Sequence, residues 1–170
     1  MDKKIFTWDS LGDLSIGRPN LGSNVSVEIY RLMQYTLRQV LEEQYGESTS
    51  RELIHAAGKI AGMAYCDRFL DTTLGPDAFL AGLHQQLIYH NIGVLRVEKT
   101  DMENLHLVLT VSEDLDCSGL PIDGKTVCDY DEGFIAGIME KYTGKKFNVV
   151  EVDCWATGDR TCRFDVTLMK

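Results

Sequence analysis

The hydrophobic period of this 170-residue chain changes once, near Gly93, and that change dictates the fold class. Before it, apolar residues recur at helical spacing; after it, they alternate. From Val25 to Tyr45 they fall at Ile29, Leu32, Met33, Leu37, Val40 and Leu41, one face of a helix. Ser23 or Asn24 can cap its start, and Gly46 ends it. Thr49 or Ser50 is placed to cap a second helix that reaches about Leu70. Pro76 opens a third at a position where its missing N–H costs nothing, and Asn91 to Gly93 stop it. Val94 to Glu98 and Leu105 to Val111 then read as strands, with a polar turn between them. A fourth helix covers about Val127 to Tyr142 before Gly144, and strands Phe147 to Trp155 and Thr161 to Leu168 close the chain. This order specifies a single α+β domain: an antiparallel sheet of about four to five strands packed with about four helices. Residues 1–24 read as an N-terminal arm or short strand and a loop, and residues 25–170 as the domain proper.

Charge narrows the function. Seventeen Lys and Arg against 26 Asp and Glu give a formal charge of −9, which argues against a nucleic-acid surface and against docking on anionic lipid. No apolar run is long enough to span a bilayer, and charge returns too soon after Met1 for a secretory signal, so a cytoplasmic protein is expected. Without an oxidising compartment, and with an odd count, the five cysteines do not point to a disulfide framework. Each is then core filler, a reactive thiol or a metal ligand.

The last hairpin carries the sharpest chemical pattern. Cys154 and Cys162 are equidistant from Gly158, so a turn there sets them opposite one another, roughly 4.5–5.5 Å apart at Cβ. That register puts Val150, Val152 and Cys154 on one face with Cys162, Phe164, Val166 and Leu168. Cys128 falls in the first turn of the preceding helix, where the helix dipole favours a thiolate. Three thiolates converge if that helix starts above the hairpin. Buried filler and a cross-strand disulfide are the competing readings of the same residues.

The run Cys128-Asp-Tyr-Asp-Glu-Gly133-Phe-Ile-Ala-Gly137, continued by Glu151-Val-Asp-Cys154-Trp-Ala-Thr-Gly158-Asp-Arg-Thr-Cys162, resembles the signature of the 4-vinyl reductase (4VR) domain family. That resemblance implies a 4VR-like ligand-binding domain over residues 25–170, with a structural zinc ion held by three Cys and one Glu: Cys128, Glu151, Cys154 and Cys162. Glu151 is an odd number of residues from Cys154, so a β-bulge between them is expected. Cys66 and Cys117 are left as spare thiols. No catalytic base accompanies the cluster, so it reads as closed and structural.

The resemblance also implies a small, largely apolar cavity between helices and sheet. Candidate lining residues are Tyr65, Phe69, Phe79, Leu83, His84, Phe134, Ile138 and Tyr142. Aromatic-sensing relatives hold the ligand hydroxyl with a His and a Trp; the strand Leu105 to Val111 contains no Trp to match. Gly133 and Gly137 share one helix face and require a close neighbour there, either a packed backbone or a ligand. The expected function is a sensor or carrier domain for a small hydrophobic or aromatic molecule, with a protein partner or a second copy in a homodimer as further candidates. The alternatives are an enzyme or accessory acting on a vinyl-bearing tetrapyrrole and an assembly module with an acyl-filled cavity. No dinucleotide fingerprint, P-loop or nucleophile elbow is present.

Overall fold

A computed structural model describes residues 5–169; the first four residues of the expected arm and Lys170 lie outside them. The elements are a 3₁₀ turn at Trp8–Leu11, then α1 (Leu14–Gly17), α2 (Val27–Tyr45), α3 (Glu47–Phe69) and α4 (Pro76–Tyr89). Strands β1 (Val94–Asp101) and β2 (His106–Ser112) follow. After a long loop come α5 (Asp129–Thr143), β3 (Phe147–Asp153), a 3₁₀ turn at Trp155–Thr157, and β4 (Cys162–Leu168). The four strands form one antiparallel sheet in the order β1-β2-β4-β3. The α+β class and the antiparallel sheet are as the sequence predicts.

Three local expectations are corrected. The described part of the arm forms a 3₁₀ turn and a single helical turn, not a strand. Helix α3 starts at Glu47 rather than after Ser50, because Gly46 at φ 82° turns the chain in one residue and serves both as the end of α2 and the cap of α3. Ser50 is consequently buried inside the helix. The inward face of β3 carries Phe147, Val149 and Glu151, while Val150 and Val152 point outward. The reason is a register shift against β4 between Glu151 and Asp153. It reverses the strand's parity, so Glu151 and Cys154 are both buried.

The core sits where β2 and β4 meet the helices, around Leu107, Leu109, Phe164 and Val166, with Phe79, Leu83 and Leu87 of α4 and Ile138 and Met139 of α5. Helices α3 and α5 cross in backbone contact. A Cβ added to Gly58 or Gly62 would lie 2.0 Å from the carbonyl oxygens of Tyr130 or Phe134, and one added to Gly133 would lie 2.0 Å from His55 O. The close neighbour that the paired glycines of α5 require is therefore the backbone of α3.

Helix α2 is docked by its polar face. Its apolar stripe points to solvent: Leu32 is 60% exposed, Met33 63% and Leu37 56%. The opposite face instead satisfies the loop between β2 and α5. Arg31 Nε donates to Leu115 O at 2.7 Å and Nη1 to Ser118 O at 2.9 Å. Tyr35 donates to Asp116 O at 3.0 Å. Arg38 donates to Val127 O and to Asp129 Oδ2, both at 2.8 Å. A loop of this length needs such partners for its buried carbonyls.

Candidate metal centre and adjoining cavity

The loop that α2 pins down ends in a helix start, and both supply sulfur. Asp114 Oδ1 accepts the backbone N–H groups of Asp116 and Cys117, each at 2.9 Å, an Asx-type turn that aims the Cys117 side chain inward. Cys128 occupies the N-cap of α5, whose first turn carries Asp129, Asp131 and Glu132. Cys154 enters a knuckle: its N–H donates to Thr157 Oγ1 at 3.0 Å, and the Thr157 hydroxyl donates back to Cys154 O at 2.7 Å. Cys162 opens β4.

The four sulfurs converge, with every pair within 4.8 Å. Sγ of Cys128 lies 3.8 Å from that of Cys162 and 4.0 Å from that of Cys154, and Cys117 Sγ lies 3.0 Å from Cys162 Sγ. A tetrahedral ion with metal–sulfur bonds of about 2.3 Å has sulfurs about 3.8 Å apart, so the cluster has the dimensions of a tetrathiolate site. All four are buried and none forms a disulfide. Hydrogen bonding with Cys117, then with the other sulfurs, pulls Cys154 well below the usual thiol range, while Cys117 and its neighbours push Cys128 and Cys162 up. Four buried sulfurs cannot all ionise without a cation among them. The residues present therefore fit a divalent metal ion.

Membership of the cluster differs from the expected set in one residue. Cys117, read as a spare thiol, stands in it, because the Asx turn at Asp114 folds the loop back over the hairpin. Glu151 stands beside it: Oε2 accepts the Cys128 N–H at 3.1 Å, and the buried Oε1 has no partner. Burial pushes the Glu151 carboxyl up to about 8, the Cys128 N–H working against it. Cys66 is buried in α3 away from the sulfurs. A second trio, Asp114, Cys128 and Asp131, also brings ligand atoms within 4.8 Å of one another.

Beside the cluster lies a cavity of about 530 Å³, walled by Ala57, Ile60, Ala61, Ala64 and Tyr65 of α3, by Tyr130, Asp131 and Phe134 of α5, and by Tyr30, Ile92, Leu115 and Asp116. Phe6, Trp8 and Leu11 of the arm complete the wall. Trp8 is anchored by its Nε1 donating to Ala64 O at 3.2 Å and by an edge contact to Phe69, ring centroids 5.4 Å apart. Removal from water pushes Asp131 well above the usual carboxylate range, with Asp114 and Asp116 adding to the shift, and Asp114 is raised to about 7 by the same cause.

Of the eight expected lining residues, Tyr65 and Phe134 meet at this cavity. Phe69 lies behind Trp8, in a shallower cleft with Arg68 and residues of the arm. Phe79, Leu83 and Ile138 are core, and Phe79 stacks on Tyr142 with centroids 3.8 Å apart. His84 belongs to a separate small cleft against β1, where its Nδ1 bonds Leu95 O at 2.7 Å. The arm and the Leu115–Asp116 loop are the walls that the sequence reading missed. An apolar-aromatic cluster at Phe6, Trp8 and Leu11 ahead of the first helix was the available signal.

Comparison with known proteins agrees with this architecture. Residues 107–168 match the family model of the vinyl-4-reductase (4VR) domain, and the chain belongs to that domain family. It is 32% identical over 116 residues to an uncharacterized protein of Methanocaldococcus jannaschii, a match covering 68% of this chain and 64% of that protein's length. A solved vinyl-4-reductase family protein from the same organism superposes with a TM-score of 0.65 at 15% identity, over 100% of this chain and 98% of that one. The phenol-responsive sensory domain of the transcription activator PoxR, solved with phenol, superposes with a TM-score of 0.65 at 16% identity, over 85% of this chain and 75% of that one. The fold is thus shared with a ligand-sensing domain. No helix among the described residues is long and apolar enough to cross a membrane.

Proposed function

We propose that the protein is a sensor or carrier domain that binds a small, largely apolar molecule in the cavity between α3, α5 and the arm, and that a structural zinc ion in the four-cysteine cluster holds that cavity's wall in place. The observation that carries the reading is the cavity itself: about 530 Å³, mostly apolar and next to the cluster. That size suits a small organic ligand. Support comes from the shared fold with the phenol-responsive domain of PoxR. Zinc is the metal of choice because four thiolates in a closed tetrahedral arrangement suit it, and such sites contribute folding energy rather than reactivity. The ion would tie Cys117 of the loop and Cys128 of α5 to Cys154 and Cys162 of the hairpin. Loop and helix start are also where Leu115, Asp116, Tyr130 and Asp131 reach the cavity.

Native mass spectrometry of the purified protein tests both halves. One zinc per chain, lost on acidification together with cooperative melting, is the expected result, and phenol or a similar small aromatic should raise the melting temperature of the zinc form. A metal-free protein that melts unchanged overturns the zinc assignment. A zinc form whose melting no small aromatic or alkyl compound shifts overturns the ligand assignment.

A further inference from the structure

The polar groups at the cavity wall are unevenly spent. Tyr30 donates its hydroxyl to Asp116 Oδ1 at 2.9 Å, and Gln34 Nε2 donates to Asp116 Oδ2 at 2.7 Å, so that carboxylate is satisfied. Trp8 spends its only donor on Ala64 O, and the Tyr65 hydroxyl is paired with His90 Nδ1 at 2.8 Å. Asp131 has none of this. It keeps some surface on the cavity, yet its Oδ2 is sealed from water without a hydrogen-bond partner among the described residues. Asp114 and Cys128 crowd it within 4.8 Å, and both are acceptors or acids rather than cations.

The nearby cations are committed elsewhere. Arg31 is used on the carbonyls of Leu115, Ser118 and Asp114, and Arg38 and Arg51 both bind Asp129. No Lys, Arg or His among the described residues lines the cavity. Its walls instead carry six aromatic rings, those of Phe6, Trp8, Tyr30, Tyr65, Tyr130 and Phe134. Aromatic faces attract a cation through their quadrupole, and a buried carboxylate is stable only when a cation or donor meets it. An unspent acceptor at the base of an aromatic cage selects a ligand that brings both the donor and the positive charge.

We propose that the cavity takes an organic cation, a protonated amine on an aromatic or short alkyl body, with the ammonium against Asp131 and the body among the six rings. This rests on the cavity being a ligand site, as proposed above, and narrows its chemistry from any small hydrophobe to an amine. Asp131 is the specificity-determining residue; Asp116, with both oxygens taken, shapes the wall.

Isothermal titration of the zinc-loaded full chain with 2-phenylethylamine, 2-phenylethanol and phenylacetate tests the charge preference at nearly constant shape. The amine should bind at least tenfold more tightly than the alcohol, and the anion most weakly. Asp131→Asn should cost the amine tenfold or more and leave the alcohol within threefold. The wild-type ratio decides the matter even if that variant folds poorly. Alcohol binding as tight as amine binding in the wild type overturns the cation assignment while leaving the ligand site standing. If neither binds and phenol does not bind either, the ligand site fails and the cation assignment falls with it.

Discussion

Replacing Gly133 with alanine isolates the contact on which the helical layer rests. The new Cβ would lie 2.0 Å from His55 O and 2.8 Å from Lys59 N. A carbon–oxygen contact is close even at about 3.3 Å, so α3 and α5 would have to separate by more than about 1 Å at this crossing. Both obstacles are backbone atoms, so no side chain can rotate away. Overpacking of this kind costs about 1–3 kcal/mol, and a rigid obstacle places it at the upper end. Removing a glycine from a helix interior returns roughly 1 kcal/mol. The net loss is about 2 kcal/mol, or roughly 4–8 °C of melting temperature for a chain of this size. The control is Gly82→Ala in α4, where nothing lies within 4 Å of the added carbon. It gains the propensity alone and should raise stability by up to about 1 kcal/mol. Circular dichroism melts and urea midpoints of the two variants beside wild type make the comparison. If Gly133→Ala melts at or above wild type, the glycine crossing does not hold α3 and α5 in backbone contact and the reasoning fails.

Four further outcomes follow from the same geometry. Cys117→Ser should abolish stoichiometric zinc binding as completely as Cys154→Ser, whereas Glu151→Gln, which supports Cys128 from outside the sulfurs, should weaken it by about 10–100-fold and retain it; competition with a chromophoric chelator separates them. Arg38→Met removes one of two arginines on Asp129, which is only 3% exposed, and should cost about 3 kcal/mol in a urea titration, more than Arg51→Met at its more exposed position. Burial, assisted by Lys59, holds His55 below its ordinary value, so the unfolded chain binds its proton more readily and the stability it permits is lost as pH falls below about 6.5; His55→Gln should flatten the change in urea midpoint between pH 7.5 and 5.5. Met33→Gln, at a position 63% exposed, should leave stability within about 0.5 kcal/mol, and a larger concentration-dependent loss would show that a second copy covers the α2 stripe.

Legibility in the sequence tracks the range of the interaction. Helix α4 begins at Pro76 and α5 ends at Gly144, at φ 72°, as local punctuation predicts, because both signals act within one turn of chain. Cys154 and Cys162 were legible for the same reason, since a hairpin makes their separation a local quantity. Cys117 was not, because its loop has no period and its direction is set by Asp114 and by arginines more than eighty residues earlier. The wall formed by Trp8 is equally non-local, resting on Ala64 and Phe69.

Helix α2 joins these cases. Its pattern reads as an amphipathic helix, and the helix is there, but pattern alone does not say which face docks. The polar face docks because the loop from Glu113 to Cys128 buries carbonyls and carboxylates that only Tyr30, Arg31, Gln34, Tyr35 and Arg38 reach. Those bonds bring Cys117 and Cys128 to the hairpin, and a bound ion would fix them there. Metal occupancy and α2 docking are therefore one equilibrium, in which anything that loosens the sulfurs frees the loop that α2 grips. Because Tyr30 and Asp116 belong both to that grip and to the cavity wall, the same equilibrium would carry an occupied cavity's effect to the exposed apolar stripe.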